Sequence, residues 1–340
     1  LRNIKRLFIV FLLLVSALKP VFADDQDIAD KYKDYKVAEI ESSSKNIYNL
    51  EENFTYHFYA GAQEGYDNNV FLDPSRKGDV FDQAIADIVA CYRLTDKVDI
   101  KAHYDFTSIT YHEFTTLSLI ENDISASLEY YPRKRVKVEM GYDVDFIDYF
   151  KNKSGDFTTN GPFAGIKYYI DKNTYVGAAY QYYFYDYKHR DIRNVSNNKI
   201  DTTREDHRNN VAGEVVTHLG KVFVKLKNIY YFNDSNDEYM DYYDYQANRV
   251  NLYTAYPVTS KLSILLSGGY QYKDFKSRTI TTDSGKKEHD NLMTLGTGIN
   301  YTLLSAFYIS ANYTYRQNYS NDPLQDYSGS VSTVGINYFF

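Results

Sequence analysis

Strict two-residue alternation constrains this chain more than any other feature. In residues 136–146, Val136, Val138, Met140, Tyr142, Val144 and Phe146 alternate with Lys137, Glu139, Gly141, Asp143 and Asp145. In residues 98–106, Val98, Ile100, Ala102, Tyr104 and Phe106 alternate with Asp99, Lys101, His103 and Asp105. Successive strand side chains point to opposite faces, so each segment is a strand with one apolar and one charged face. Two architectures satisfy such strands. A soluble sandwich packs the apolar faces together, and a membrane barrel turns them to lipid.

Loop lengths separate the two. From residue 54 onward the pattern predicts fourteen strands, with 12 and 16 as the bounds. Connections alternate in length. Tight turns fall at 95–97, 132–135, 171–173, 220–221, 257–261 and 304–305. Long polar loops fall at 66–79, 110–118, 150–161, 188–209, 233–242, 274–290 and 317–326. Short turns at one end and long loops at the other predict an all-β fold, a transmembrane antiparallel up-and-down barrel with periplasmic turns and extracellular loops. Two of the long loops, 188–209 and 274–290, could extend as hairpins above the membrane and constrict the lumen.

The composition fits this fold. The chain has 38 Tyr and 20 Phe but no Trp, and only 6 Pro. After residue 23 no apolar run is long enough for a membrane helix, yet aromatic and β-branched residues abound. A barrel needs only every second residue to be apolar. Tyr92, Tyr130, Tyr168, Tyr256, Tyr301 and Tyr338 lie near short turns or the C-terminus, where an interfacial girdle is expected.

The N-terminus reads as an export signal. Arg2, Lys5 and Arg6 precede an apolar stretch at 7–18, and Val21-Phe22-Ala23 precede Asp24. This predicts a signal peptide at 1–23, cleaved near Ala23. About 12 apolar residues are too few for a hydrocarbon core that needs roughly 20. Residues 24–53 then read as a periplasmic extension with a weak helical stretch at 28–40, and a plug inside the barrel is the alternative. The signal carries four cations (Arg2, Lys5, Arg6, Lys19) and no acid. Removing 4 from 38 leaves 34 Lys and Arg against 45 Asp and Glu, a formal charge of −11. Nucleic acid is therefore excluded as a partner, because phosphate binding needs a basic stripe. Cys91 is the one cysteine, so neither an intrachain disulfide nor a zinc spacing exists.

The last strand places Val334, Ile336, Tyr338 and Phe340 on one face. In this it resembles bacterial outer-membrane proteins, whose final strand ends in an aromatic residue with apolar residues two, four and six positions earlier. The resemblance implies that these four residues form the signal read by the barrel-assembly machinery, and it implies the outer membrane, with its lipid and lipopolysaccharide, as the setting. Both ends of the barrel would then lie in the periplasm. A narrower resemblance begins at Ala60-Gly61-Ala62-Gln63-Glu64-Gly65-Tyr66-Asp67-Asn68-Asn69-Val70-Phe71. This is similar to the first strand and loop of β-barrel porins of Gram-negative bacteria, where Tyr-Asp-x-Asn and a hydrophobic residue open the barrel. It covers about fifteen residues, implies porin function and supplies no catalytic residue.

Function is expected in the lumen. The inward candidates are Asp99, Lys101, His103, Asp105, Lys137, Glu139, Asp143, Asp145, Lys167, Gln181, Glu214, Lys225, Lys227 and Arg249. They divide into an acid-rich sector, Asp99 to Asp145, and a basic one, Lys225, Lys227 and Arg249. Charged rings of this kind tune ion selectivity. The first expectation is a porin-like channel for passive diffusion of small hydrophilic solutes, with no cofactor and no covalent chemistry. The second is a barrel that assists export or anchoring of a surface polymer. The third is an outer-membrane hydrolase, for which Asp206-His207 and Glu288-His289 are the adjacent acid–histidine pairs. Two oxygen-rich runs, Asp67-Asn68-Asn69 and Asn233 to Glu238, could hold Ca²⁺ but lack the spacing of a calcium loop. No metal ligand set is assigned.

Overall fold

The computed structural model describes residues 48–51, 53–239 and 241–340. The expected signal peptide and the helical stretch at 28–40 lie outside the described residues. A short strand β1 (Tyr48–Glu51) precedes fourteen barrel strands. These are β2 (Phe54–Asp67), β3 (Asp79–Thr95), β4 (Val98–Tyr111), β5 (Leu119–Arg133), β6 (Val136–Tyr149), β7 (Phe157–Asp171) and β8 (Thr174–Arg193). They continue with β9 (Lys199–Leu219), β10 (Val222–Ser235), β11 (Tyr245–Pro257), β12 (Leu262–Ile280), β13 (Asp283–Leu304), β14 (Phe307–Ser320) and β15 (Tyr327–Phe339).

Each barrel strand pairs antiparallel with its sequence neighbours, and β15 pairs with β2 to close the ring. The closing register runs from Val331↔Asp67 to Phe339↔Tyr59. Where β15 ends, β1 takes over the same edge of β2, with Tyr48 opposite Tyr56. Closure matters because a backbone N–H or C=O left unpaired in lipid costs several kcal/mol.

All fourteen expected strands are present, and the two segments that could extend as hairpins do so. The β8/β9 and β12/β13 strands run 19 to 22 residues each, well past a tilted membrane strand of about 10. The segments 188–209 and 274–290 are therefore largely β-ladder rather than loop. At the opposite end, β9 and β10 join through two residues, where Gly220 takes φ +67°. A two-residue hairpin demands such left-handed backbone, which glycine adopts without strain.

The outer face is apolar. Ile100, Ile124, Leu128, Met140, Ile166, Val211, Leu252, Leu266, Leu295, Ile299, Val334 and Ile336 are all exposed on it. This is the signature of a transmembrane barrel of the outer-membrane type. Of the expected girdle, Tyr92, Tyr130, Tyr168, Tyr256 and Tyr301 are exposed near the short turns. Tyr338 also points outward, stacked on Phe340.

A second belt marks the other edge of the apolar band. Tyr104 donates to Asn122, Tyr142 to Asn160, Tyr180 to Asn209, Tyr230 to Gln246 and Tyr270 to Asn291. In each case the tyrosine sits on the strand entering a long loop and the amide on the strand leaving it. An outward amide is poorly solvated by hydrocarbon, and the phenol satisfies its carbonyl while the ring stays in the interfacial layer. Tyr130 lies opposite Val98, and Tyr301 opposite Leu262. From Val98 to Tyr104 is six residues and from Leu262 to Tyr270 is eight. That is roughly 20–26 Å along a strand, and tilt shortens it to a band somewhat thinner than ~25 Å.

Inside, glycine makes room for rings. Gly65 lies directly opposite Phe81, and a Cβ on it would sit 2.3 Å from the ring. Replacing Gly65 with Val should therefore dislodge Phe81 and cost about 1–3 kcal/mol. Urea unfolding in detergent micelles checks this; an unchanged midpoint would show that the contact is not close packing.

Candidate functional site: the charged lumen

Period-two geometry decides which charges face inward. The register carries Asp99, Lys101, His103 and Asp105 on β4 onto the same face as Lys137, Glu139, Asp143 and Asp145 on β6. The same face holds Glu214 on β9, Lys225 and Lys227 on β10, and Arg249 on β11. All of these candidates sit on the interior wall. Several are paired there. Lys137 Nζ lies 2.5 Å from Glu129 and 3.3 Å from Glu139. Glu214 sits between Lys167 at 3.2 Å and Lys225 at 3.9 Å. Arg93 reaches Asp99 at 3.3 Å, and Gln181 donates to Asp143 at 3.3 Å.

The structure adds a feature that the alternation did not reveal. Asp87, Asp105, Asp123 and Asp145 lie directly opposite one another on β3, β4, β5 and β6. Directly opposed residues have Cβ atoms about 4.5–5.5 Å apart, so this is a four-rung ladder of like charge. Asp87 is wholly buried, and His103 Nε2 lies 2.6 Å from its Oδ2. The β3 pattern hid Asp87, because Ile85, Val89 and Phe81 share its face while Ile88 and Ala86 occupy the other. Neither face of β3 is uniformly polar.

The opposite wall is basic. Arg204 and Arg208 on β9, Lys273 and Arg278 on β12, and Arg316 on β14 join the expected Lys225, Lys227 and Arg249. Aromatic faces hold several of them. The Arg204 guanidinium lies 3.5 Å from the Tyr243 ring centroid and 4.3 Å from that of Tyr187. Lys273 sits 3.9 Å over Tyr245 and 4.3 Å over Phe275. Arg204 also pairs with Asp206. Burial pushes the Asp206 carboxyl up, but the Arg204 charge and hydrogen bonds from Arg204, Ser235 and Asn233 outweigh it and hold the group below the usual carboxylate range. These cations lie in or beside segments read as loops from the sequence, so their side was not legible there.

The long-loop mouth has two unlike walls. Across β3 to β8, Phe81, Ile109, Tyr111, Leu119, Ile147, Tyr149, Phe157, Tyr185 and Tyr187 form a buried apolar cluster inside the barrel. Val70 from the first loop and Val331 on β15 complete it. Val70, Tyr149 and Tyr187 of this cluster also border a cavity of about 440 Å³, whose charged lining is Arg190, Arg204, Arg208 and Lys273 against one carboxylate, Asp73. Tyr187, Tyr243, Tyr245 and Phe275 fill its walls.

A constriction was expected from 188–209 or 274–290; the mouth cavity is lined both by Arg190, Arg204 and Arg208 of the first of these and by residues 70–73 of the first loop. Segments 188–209 and 274–290 are committed to ladder hydrogen bonds and rise as hairpins. Within the first loop, residues 70–73 line the cavity, and Asn69 and Val70 are almost fully buried. The motif that resembles porins does the anchoring. Asp67 and the Asn69 carbonyl each accept from Arg316 Nη2 at 2.7 Å. Asn69 Nδ2 donates to the Ser328 carbonyl at 3.0 Å, and Asn68 Oδ1 accepts from the Ser330 amide at 2.6 Å. Asp67 is thereby engaged with a guanidinium rather than arranged as a calcium ligand. In the other oxygen-rich run, Asn233 donates to Asp206 at 3.0 Å.

The acid–histidine pairs come apart. Asp206 points inward to Arg204, whereas His207 points outward, with Nδ1 2.5 Å from the Tyr182 hydroxyl. Glu288 is buried inward against Arg278 at 2.8 Å, and His289 takes the other face of the same strand. Neighbours on a strand diverge, so adjacency in sequence separates these groups in space.

Replacing Arg316 with Met leaves the Asp67 carboxylate without its guanidinium in a buried site. The expected loss is about 3 kcal/mol or more, together with faster amide exchange across residues 68–78. Hydrogen exchange of the detergent-solubilised barrel reads both, and unaltered protection of that loop would refute the anchoring role.

Solved outer-membrane proteins have a similar overall form. OmpT of Vibrio cholerae is 12% identical over 87% of this chain and 100% of that one, with a TM-score of 0.49. A FadL homologue of Pseudomonas aeruginosa is 9% identical over 84% of this chain and 90% of that one, at 0.47. The CymD monoaromatic hydrocarbon channel is 12% identical over 85% and 88%, at 0.46. No family model matches the sequence, and no curated protein does. These are likenesses of barrel to barrel and carry neither solute nor chemistry across.

Proposed function

We propose that this chain is an outer-membrane diffusion channel for small hydrophilic solutes, with a long-loop mouth that favours anions. The observation that carries this reading is the cavity at that mouth, with four cations set against one carboxylate. Its guanidinium groups are held by tyrosine faces, which fixes planar donors that suit carboxylates and similar oxyanions. The polar interior supports the same reading. Fourteen strands fall between about 8, where side chains fill the lumen, and 16–18, where an aqueous channel stays open. A narrow, selective passage follows. It performs no covalent chemistry, in keeping with the divergence of Asp206 from His207 and of Glu288 from His289.

The expectation is a measurable conductance in planar bilayers with a preference for chloride over potassium. Arg190 contacts the Ser154 carbonyl and the Tyr187 ring. Substituting Arg190→Gln together with Arg208→Gln should lower the chloride-to-potassium permeability ratio at least twofold, read as a shift in reversal potential. Asp105→Asn with Asp145→Asn should move it the other way. A barrel that assembles but never conducts would favour the export or anchoring role instead, and reversal potentials that ignore all four substitutions would remove these residues from the ion path.

A further inference from the structure

The β2–β4 end of the aspartate ladder has a composition that its neighbours lack. His57 on β2, Asp87 on β3, and His103 and Asp105 on β4 converge on the inner wall. Asp87 lies directly opposite Asp105, and the two histidines flank Asp87 diagonally, each sharing its register row with Val89. One ligand atom from each of Asp87, His103 and Asp105 falls within 4.8 Å of the others. Ligands bound at about 2.0–2.2 Å to one ion stand ~3–4 Å apart, so small side-chain adjustments suffice.

Independent evidence comes from two buried atoms. The Asp87 side chain is wholly buried, and its Oδ1 has no hydrogen-bond partner. His57 Nδ1 faces that oxygen at 3.9 Å and has no hydrogen-bond partner either. A buried carboxylate oxygen left in this way is costly. A 3.9 Å nitrogen-to-oxygen gap is too long for a hydrogen bond, and it matches two ligands that share a metal ion. The surroundings suit such an ion. Tyr59, Ile85, Tyr308 and Phe339 form a buried apolar cluster beside it, and the His57 ring stacks on Phe339 at 6.1 Å. An apolar surround fixes ligand orientation and limits solvent. The ladder supplies excess negative charge on the other side.

We propose that His57, Asp87, His103 and Asp105 form a site for one divalent first-row transition-metal ion on the lumen wall. Two imidazole nitrogens with two carboxylates suit zinc and its neighbours better than calcium or magnesium, which take oxygen ligands. The ion bridges His57 to Asp87, and it relieves the repulsion between Asp87 and Asp105. This site stands whether or not the barrel conducts.

The test uses the full, untagged barrel folded in detergent and stripped with a chelator. Titration calorimetry with Zn²⁺ should give one saturable site per chain, and Co²⁺ should give visible absorption bands from an ordered nitrogen–oxygen ligand set. His57→Ala and His103→Ala should each weaken Zn²⁺ binding at least tenfold, while His207→Ala leaves it unchanged. Heat-modified migration on gels confirms that each variant is assembled. Should Asp87→Asn not assemble, the two histidine variants decide. Absence of a saturable site, or equal affinity in the wild type, His57→Ala and His103→Ala, overturns the proposal. So does calcium displacing Zn²⁺ at equal concentration.

Discussion

Everything in this molecule depends on the hydrogen-bonded seam between β2 and β15. A sheet with apolar residues on its outer face can enter lipid only if no edge remains, because an exposed row of amides has nothing to bond there. The seam removes the edge. Around the ring every ladder must agree with the alternation, since a slip of one residue would turn the charges of the strand that slips to lipid. The lumen charges and the two tyrosine belts inherit their positions from these registers, and the first loop is seated beside the seam that closes them.

Once the register is set, the interior must accept whatever polar groups fall on it. The barrel answers by sorting charge by wall. Four aspartates share one row on β3 to β6, and the arginines and lysines gather on β9 to β14. Each wall also holds a minority charge: Lys137 on β6 and Glu214 on β9 are each held by two opposite charges. Aromatic faces cradle the cations nearest the mouth, so these charges are rigid as well as paired. A wall of fixed cations beside a wall of rings is a different instrument from a uniformly polar tube.

The sequence carried most of the fold because barrel strands obey one rule repeated fourteen times. Val136 to Phe146 could be read alone, and the turns supplied the count. The site was legible only where that rule was clean. On β4 and β6 it placed eight charges on the inner wall. On β3 it could not place Asp87, because small apolar residues such as Ala84 and Ala86 face out while Ile85 and Val89 face in. Arg204 and Arg278 escaped for another reason: polar content made the tall hairpins look like loops, so no side could be assigned. The role of Asp67 needed Arg316, a partner 249 residues away, which no local pattern encodes.

That long reach has a consequence for how the chain comes together. Asp67 ends the first barrel strand, Arg316 lies on the penultimate one, and the loop between β2 and β3 also bonds to Ser328 and Ser330 on the last. Residues 68–78 leave β2 early in the chain and pack Val70 and Phe71 against β3 to β8 and Phe114, yet the side-chain hydrogen bonds that seat them outside their own loop and hairpin reach only the last two strands. The apolar side of the first loop can be packed by the early strands, whereas its polar side is complete only when β14 and β15 are in place, so these hydrogen bonds act as a latch on the closed ring.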